Sequence, residues 1–298
     1  MGERMMTDNP ERKSYVMRGY VLRIMKWLVA GFLIPAFPLF TLAGSLQVSS
    51  SVPGLHIAVL DKLPSAPEHI SADNDSSFCE GEPPQTVAGE YVAGKGWRVI
   101  NEIQQGDVII VGFFSQGVDG TSGSCFIKNG NVAIFDKGKL SALIYGDEIK
   151  DDGYSMTGAV SKTNLKNTFR LREFFPGRLA VADLYYNGDV ARVQPVAPGE
   201  PYCAGTAPVP DIYGKSITAA RKRLMNYGWK PVPVEEDKND PRIREFYQHG
   251  IREADSCSGT GFGFCSFNYV RDSGATLNVV TVGDDATVTD YGAECPEG

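Results

Sequence analysis

"CFIKNGNVAIFDKGKLSALIYGD" occupies Cys125–Asp147, and "CSFNYVRDSGATLNVVTVGD" occupies Cys265–Asp284. Each stretch opens on a cysteine and reads as a β-hairpin. An alternating strand, "NVAIF" or "FNYV", leads into an Asp-x-Gly turn at Asp136-Lys137-Gly138 or Asp272-Ser273-Gly274. Aligned on their ends, Leu140 matches Leu277, Ala142 matches Val279, and Gly146-Asp147 matches Gly283-Asp284. The likeness continues upstream, where Gly96-Trp97 matches Gly228-Trp229 and Cys79 matches Cys203. Each unit therefore reads Cys, variable segment, Gly-Trp, strand, Cys, hairpin, Gly-Asp. The pattern predicts an α+β, β-rich fold with two small disulfide-braced domains, residues 79–197 and 203–298, related by a diverged duplication. It places Leu140 and Leu277 in their own cores and Cys125 and Cys265 at matching strand starts.

Between the hairpins, "LAVADLYYNGDVARVQPV" at residues 179–196 is a further hairpin with Asn187-Gly188 at its turn. It closes the first domain. The break between domains falls where Pro and Gly cluster, at residues 195–201. Residues 47–78, rich in Ser, Pro and Asp, read as a linker in which "LHIAVLDKL" is a short strand or a juxtamembrane contact.

Ahead of that linker, Trp27–Leu46 is twenty residues without a charge. At about 1.5 Å per residue it spans a hydrocarbon core of about 30 Å. Arg12, Lys13, Arg18, Arg23 and Lys26 precede it, and the next basic residue after it is Lys62. The asymmetry keeps residues 1–26 as a cytoplasmic tail and exports the remainder. Two readings stand. In one, residues 27–46 are a signal-anchor, a single transmembrane helix in the inner membrane with the bulk of the chain periplasmic. In the other, a signal peptide is cleaved near Ser45, with Ala43 and Ser45 as the small residues before the cut, and the chain is periplasmic or secreted.

The six cysteines, Cys79, Cys125, Cys203, Cys257, Cys265 and Cys295, all lie after this segment. An even number confined to an exported part reads as three disulfides. With no C-x-x-C pair and three histidines in the chain, no metal site is expected. Duplication would pair Cys79 with Cys125, Cys203 with Cys265, and Cys257 with Cys295. The alternative pairs Cys257 with Cys265 and closes the loop "CSGTGFGFC".

Residues 209–232, "VPDIYGKSITAARKRLMNYGWKPV", hold a helix capped by Ser216 and stopped by Gly228, with Ile217, Ala220, Leu224 and Tyr227 on one face. This stretch resembles the opening of a PASTA domain, a Val-Pro-Asp-x-x-Gly turn followed by an amphipathic helix, a Gly and a strand. The second half of a PASTA unit is not recognisable, and the cysteines depart from that family's pattern. The resemblance covers 24 of 298 residues. It implies a cell-envelope module that touches peptidoglycan or a protein neighbour, and it carries no binding residue across.

A net charge of −7 leaves no basic surplus for nucleic acid. The chain has no G-x-S-x-G elbow, no H-E-x-x-H and no P-loop. His249 and Glu253, four apart, read as a surface pair, and Trp97 and Trp229 read as core aromatics. Arg221, Lys222 and Arg223 form the densest basic cluster beyond the N-terminus and are the candidate binding surface. The expectation is a non-enzymatic, cofactor-free binding or interaction protein of the bacterial envelope, for example an immunity or inhibitor protein. Its partners would be the inner membrane through residues 27–46 and an envelope protein or peptidoglycan. The alternative is an envelope hydrolase acting on peptidoglycan with dispersed carboxylates.

Overall fold

The strand "VIIVGFF" is apolar at every position rather than every second one, which marks a strand covered on both faces. In the computed structural model it is β4 (Val108–Phe114), and six of its seven residues are buried. The structure describes residues 45–67, 79–120, 124–147, 155, 157–174, 179–237, 239–259 and 261–296. The expected cytoplasmic tail and all but the last two residues of the expected membrane segment lie outside these. Among the described residues no helix is long and apolar enough to cross a membrane.

The chain begins with β1 (Gln47–Ser50) and β2 (Leu55–Val59). The first part of the segment expected to be a linker is thus structured, and "LHIAV" is a strand. Next come α1 (Val87–Ala93), β3 (Arg98–Gln105), β4, β5 (Gln116–Asp119), β6 (Cys125–Lys128), β7 (Asn131–Asp136) and β8 (Lys139–Gly146). Then follow β9 (Ala159–Lys162), β10 (Thr168–Arg172), β11 (Ala180–Tyr186) and β12 (Val190–Gln194). One five-stranded sheet runs β2-β8-β7-β4-β3 and a second runs β1-β12-β11-β10-β9, with β1 parallel to β12. They pack on each other through Leu55, Ile110, Ile134 and Ile144 of the first and Phe169, Leu171, Leu184 and Val193 of the second. The far face of the first sheet buries Ile109, Val111, Phe113 and Phe135 against Ala88 and Val92 of α1, and against Leu63. That double cover is why β4 has no wet face.

The remaining elements are β13 (Gly199–Tyr202), β14 (Ala207–Pro210), α2 (Ile217–Asn226), β15 (Lys230–Pro231), α3 (Pro241–Gln248), β16 (Ala254–Cys257), β17 (Cys265–Val270), β18 (Thr276–Val282) and β19 (Thr287–Glu294). Strands β13 and β14 form their own ribbon, while β17-β18-β19 form a meander whose β17 also pairs with β15 and β16. Their core is separate and gathers Trp229, Phe267, Tyr269, Leu277 and Val279 with Ile217, Ala220 and Leu224 of α2. Ser216 caps α2 by accepting from the Ala219 N–H. At the other end the Gly228 N–H bonds to Met225 O and the Trp229 N–H to Leu224 O, a pairing that needs the left-handed φ of 84° at Gly228. Tyr227 differs from expectation. It is the cap residue and is 44% exposed, because the last turn has already left the apolar face.

Both hairpins form, and Leu140 and Leu277 are both buried in their own cores. Between β7 and β8 the loop is Lys137-Gly138, both at positive φ, the geometry that matches strand twist. The duplication is not shown. Its pairing of Cys203 with Cys265 does not occur. The bonds are Cys79–Cys125, Cys203–Cys295 and Cys257–Cys265. Cys257 and Cys265 are register partners on adjacent strands, so a short bridge reaches between them, whereas Cys203 lies beside the end of the chain. Cys265 begins its hairpin, but Cys125 begins β6, which pairs with β5 in another sheet. The first hairpin also carries a bulge at Ser141 that turns Leu140 to the face opposite Ala142 and Ile144, while the β17–β18 pairing has no such shift.

Two outcomes follow from these bonds. In the chain-entropy picture, removing Cys257–Cys265, with a separation of 8, should cost roughly 2–3 kcal/mol. Removing Cys203–Cys295, with a separation of 92, should cost roughly 4–5 kcal/mol, and denaturant unfolding of the paired Cys→Ala variants should give that order. The second outcome concerns Tyr186, whose hydroxyl donates to Asp136 at 2.8 Å and so joins the two sheets. Burial, then the Asp136 carboxylate, push its pKa from 10.0 up to about 12. The folded state therefore holds the proton more tightly. The stability this gives is complete below pH 10 and falls away as pH rises from 10 towards 12. Unfolding measured across that window should show a loss of stability that Tyr186→Phe makes shallower without abolishing it, since burial also raises the pKa of Tyr202, Tyr213, Tyr269 and Tyr291.

Candidate binding cleft

Strand β10 reads Thr-Phe-Arg-Leu-Arg. Alternation sends Phe169 and Leu171 into the core between the sheets and sends Arg170 and Arg172 to the opposite face. On a two-layer protein that face would be wet. Here it is covered by the chain that follows residue 198, and both arginines are buried.

Arg170 faces its register partner Asp183 on β11. Its Nε and Nη2 donate to the two oxygens of Asp183 at 2.9 and 3.4 Å. Its Nη1 donates to Glu200 of β13 at 2.9 Å and to the Tyr213 hydroxyl at 3.3 Å. The carboxylates have further donors, the Ala197 N–H on Asp183 and the Asn164 N–H and amide on Glu200. Burial alone would lower the Arg170 pKa, but the hydrogen bond to Asp183 and the surrounding negative charge raise it above the ordinary guanidinium value. The group stays charged.

Arg172 extends the same face. Its Nε donates to Ser161 Oγ at 2.8 Å, and its Nη2 donates to the Tyr213 hydroxyl and to Asp290 Oδ1, each at 2.9 Å. Its Nη1 reaches the Thr289 carbonyl at 3.4 Å. Tyr213 is thus shared by both arginines, whose guanidinium carbons lie 5.1 and 5.2 Å from its ring centre. Its ring stacks on Tyr291 at 4.4 Å. Tyr213 belongs to the Val-Pro-Asp-Ile-Tyr-Gly turn, where the Asp211 side chain accepts from the Tyr213 N–H at 3.1 Å and fixes the bend. Burial raises the Tyr213 pKa despite the two neighbouring arginines, so it acts as a neutral phenol.

Beside Arg172 and Asp290 opens a cavity of about 580 Å³. Ile100, Phe114, Phe174 and Cys79 give it an apolar surface, and Phe114 and Phe174 are stacked with ring centres 6.2 Å apart. Asn101, Val160 and Ser161 form another wall, while Glu80, Gly81 and Glu82 complete the lining. The Asn101 side chain is already used. It donates to the Val160 carbonyl at 2.5 Å and accepts from the Val160 N–H at 3.2 Å, pairing with β9 as a strand would. The cavity lies in the range of small-molecule sites, about 300–1,000 Å³.

The basic cluster read from the sequence does not line this cleft. Arg221 turns inward and donates to Glu253 Oε1 at 2.7 Å, and the buried Tyr269 hydroxyl donates to the same oxygen at 3.1 Å. Lys222 is exposed and Arg223 half-buried. Glu253 is fully buried, so it forms no surface pair with His249, whose Nδ1 instead lies 2.8 Å from the Glu245 carbonyl. Trp97 and Trp229 are core residues, and each indole N–H bonds to a proline carbonyl, Pro64 and Pro208 respectively. Among the described residues no group of three or more His, Cys, Asp or Glu side chains is placed to hold a metal ion. Sequence reasoning missed Arg170 and Arg172. The available signal was a pair of arginines spaced by two within an apolar strand.

Comparison with family models, with curated proteins and with solved structures finds no match.

The arginine cluster has a measurable energetic consequence. Arg170→Met should cost about 3–5 kcal/mol in denaturant unfolding, because it leaves Asp183 and Glu200 buried without their counter-charge. Arg170→Lys should recover only part of this, since an ammonium cannot reproduce the forked pairing with Asp183.

Proposed function

We propose that the chain is an extracytoplasmic binding module of the bacterial envelope, held at the inner membrane by residues 27–46, which presents the cleft beside Arg172 to its ligand. The observation that carries this reading is the pairing of all six cysteines, with none left free. Such bonds persist outside the reducing cytosol. The uncharged stretch ahead of the body, with its basic residues on one side, supports the same placement. So does the resemblance of residues 209–232 to a PASTA opening, with which the order β14, α2, β15 is compatible. Binding rather than turnover is favoured by the cleft itself. Its asparagine, serine and arginine are engaged in fixing strands and neighbours, which leaves a preformed shape whose uncommitted polar side chains, among the described residues, are the carboxylates of Glu80 and Glu82.

Protease added to the outside of spheroplasts should digest the body and leave only a short membrane-embedded fragment. A body that stays intact until the inner membrane is broken would overturn the placement.

A further inference from the structure

The charge around the cleft is unbalanced in one direction. Among the described residues, three carboxylates, Glu80, Glu82 and Asp290, and one guanidinium, Arg172, line it. The guanidinium is committed, because its Nε, Nη1 and Nη2 bond to Ser161, Thr289, Tyr213 and Asp290. An incoming anion would have to displace Asp290 and would meet two further carboxylates. Glu80 and Glu82 are exposed, and among the described residues neither takes a side-chain hydrogen bond or ion pair. Arg98 donates to the carbonyl of Cys79, next to Glu80, at 3.0 Å. Counted with Arg172, the guanidiniums here among the described residues are still outnumbered three to two by the carboxylates, and a concave surface concentrates the remaining field. The apolar lining faces the same space. Phe114 and Phe174 are joined there by Ile100 and by Cys79, whose bond to Cys125 fixes the segment that carries both glutamates. Aromatic rings beside carboxylates favour a cation that brings apolar surface with it.

We propose that this cleft receives an amphipathic organic cation, an ammonium or guanidinium group carried on an apolar body. The inference rests on the binding-module reading and names the class of ligand. Two sources share that chemistry, a basic side chain of a peptide and a free amine. The cavity of about 580 Å³ is large enough for the charged group together with a neighbouring ring or alkyl chain. The apolar body would lie against Phe174, the half-buried member of the stacked pair, and the charge would sit toward Glu80 and Glu82.

The test is calorimetric titration of the full chain in lipid nanodiscs with phenethylammonium, 2-phenylethanol and phenylacetate, three probes of one shape and different charge. Phenethylammonium should bind roughly tenfold or more tightly than the neutral alcohol, and added salt should weaken it. The double variant Glu80→Gln, Glu82→Gln should lose roughly that same factor while its melting temperature stays unchanged, since both side chains are exposed. Glu235→Gln, an exposed acid outside the cleft lining, should bind as the parent does. Titration with the capped dipeptide Phe-Arg distinguishes the sources. Tighter binding than the free amine assigns a peptide, weaker binding assigns an amine, and either supports the proposal. Phenylacetate binding in preference to the cation would overturn the ligand class and leave the binding-module reading standing. Heat from none of the probes would overturn the ligand class too, while the spheroplast digestion still decides the placement separately.

Discussion

A guanidinium taken out of water must find its acceptors inside the protein, and Arg170 finds them on two stretches of chain. Asp183 comes from the neighbouring strand of its own sheet, and Glu200 comes from the ribbon that begins the second part of the chain. Neither carboxylate would be tolerated there without the arginine, and the arginine would not be tolerated without them. Apolar attraction, being non-directional, can accept more than one docking angle. A forked guanidinium pairing cannot, because its hydrogen bonds have direction. This interaction therefore sets how β13 lies on β10 and β11. Arg172 repeats the constraint two residues later and extends it to Asp290 of β19. The wall of the cleft is a by-product of that second contact.

Tyr213 shows how much the arrangement asks of a single side chain. Its hydroxyl receives both arginines while its ring stacks on Tyr291. Neither arginine could be replaced by an apolar residue without leaving some of these groups unsatisfied. The hydrophobic clusters do not extend through this contact. One is built from residues 202–293 and the others from residues 46–193. The apolar cores on either side are thus joined across a polar layer.

Where local chemistry decided the outcome, the sequence could be read. Asn187-Gly188 turns β11 into β12, the Lys137-Gly138 pair turns β7 into β8, and Ser216 and Gly228 bound α2. Where a distant partner decided it, the reading failed. "QVSS" is strand only because β12 offers it a parallel edge. Cys203 bonds to Cys295 because the last strand returns beside the ribbon, which no spacing rule contains. The hairpin alignment missed the bulge at Ser141, since a one-residue insertion leaves the hydrophobic pattern almost unchanged while reversing a face. The cleft was hidden for a related reason. Alternation along "TFRLR" distinguishes two faces of a strand but cannot say whether the polar one meets water or another layer of protein.

The first described strands carry a mechanical meaning. β1 is hydrogen-bonded into one sheet and β2, after a four-residue turn, into the other. Tension arriving through the chain ahead of Gln47 would meet the parallel ladder of β1 with β12 before it reached β2. Directed along the strand, that tension would act on four register pairs together in shear instead of opening them one after another. Once β1 gave way, the turn at residues 51–54 would become slack chain, and β2 would hold the pull through a separate set of bonds. A body pulled through the chain ahead of Gln47 would yield in two steps, with the cleft downstream of both.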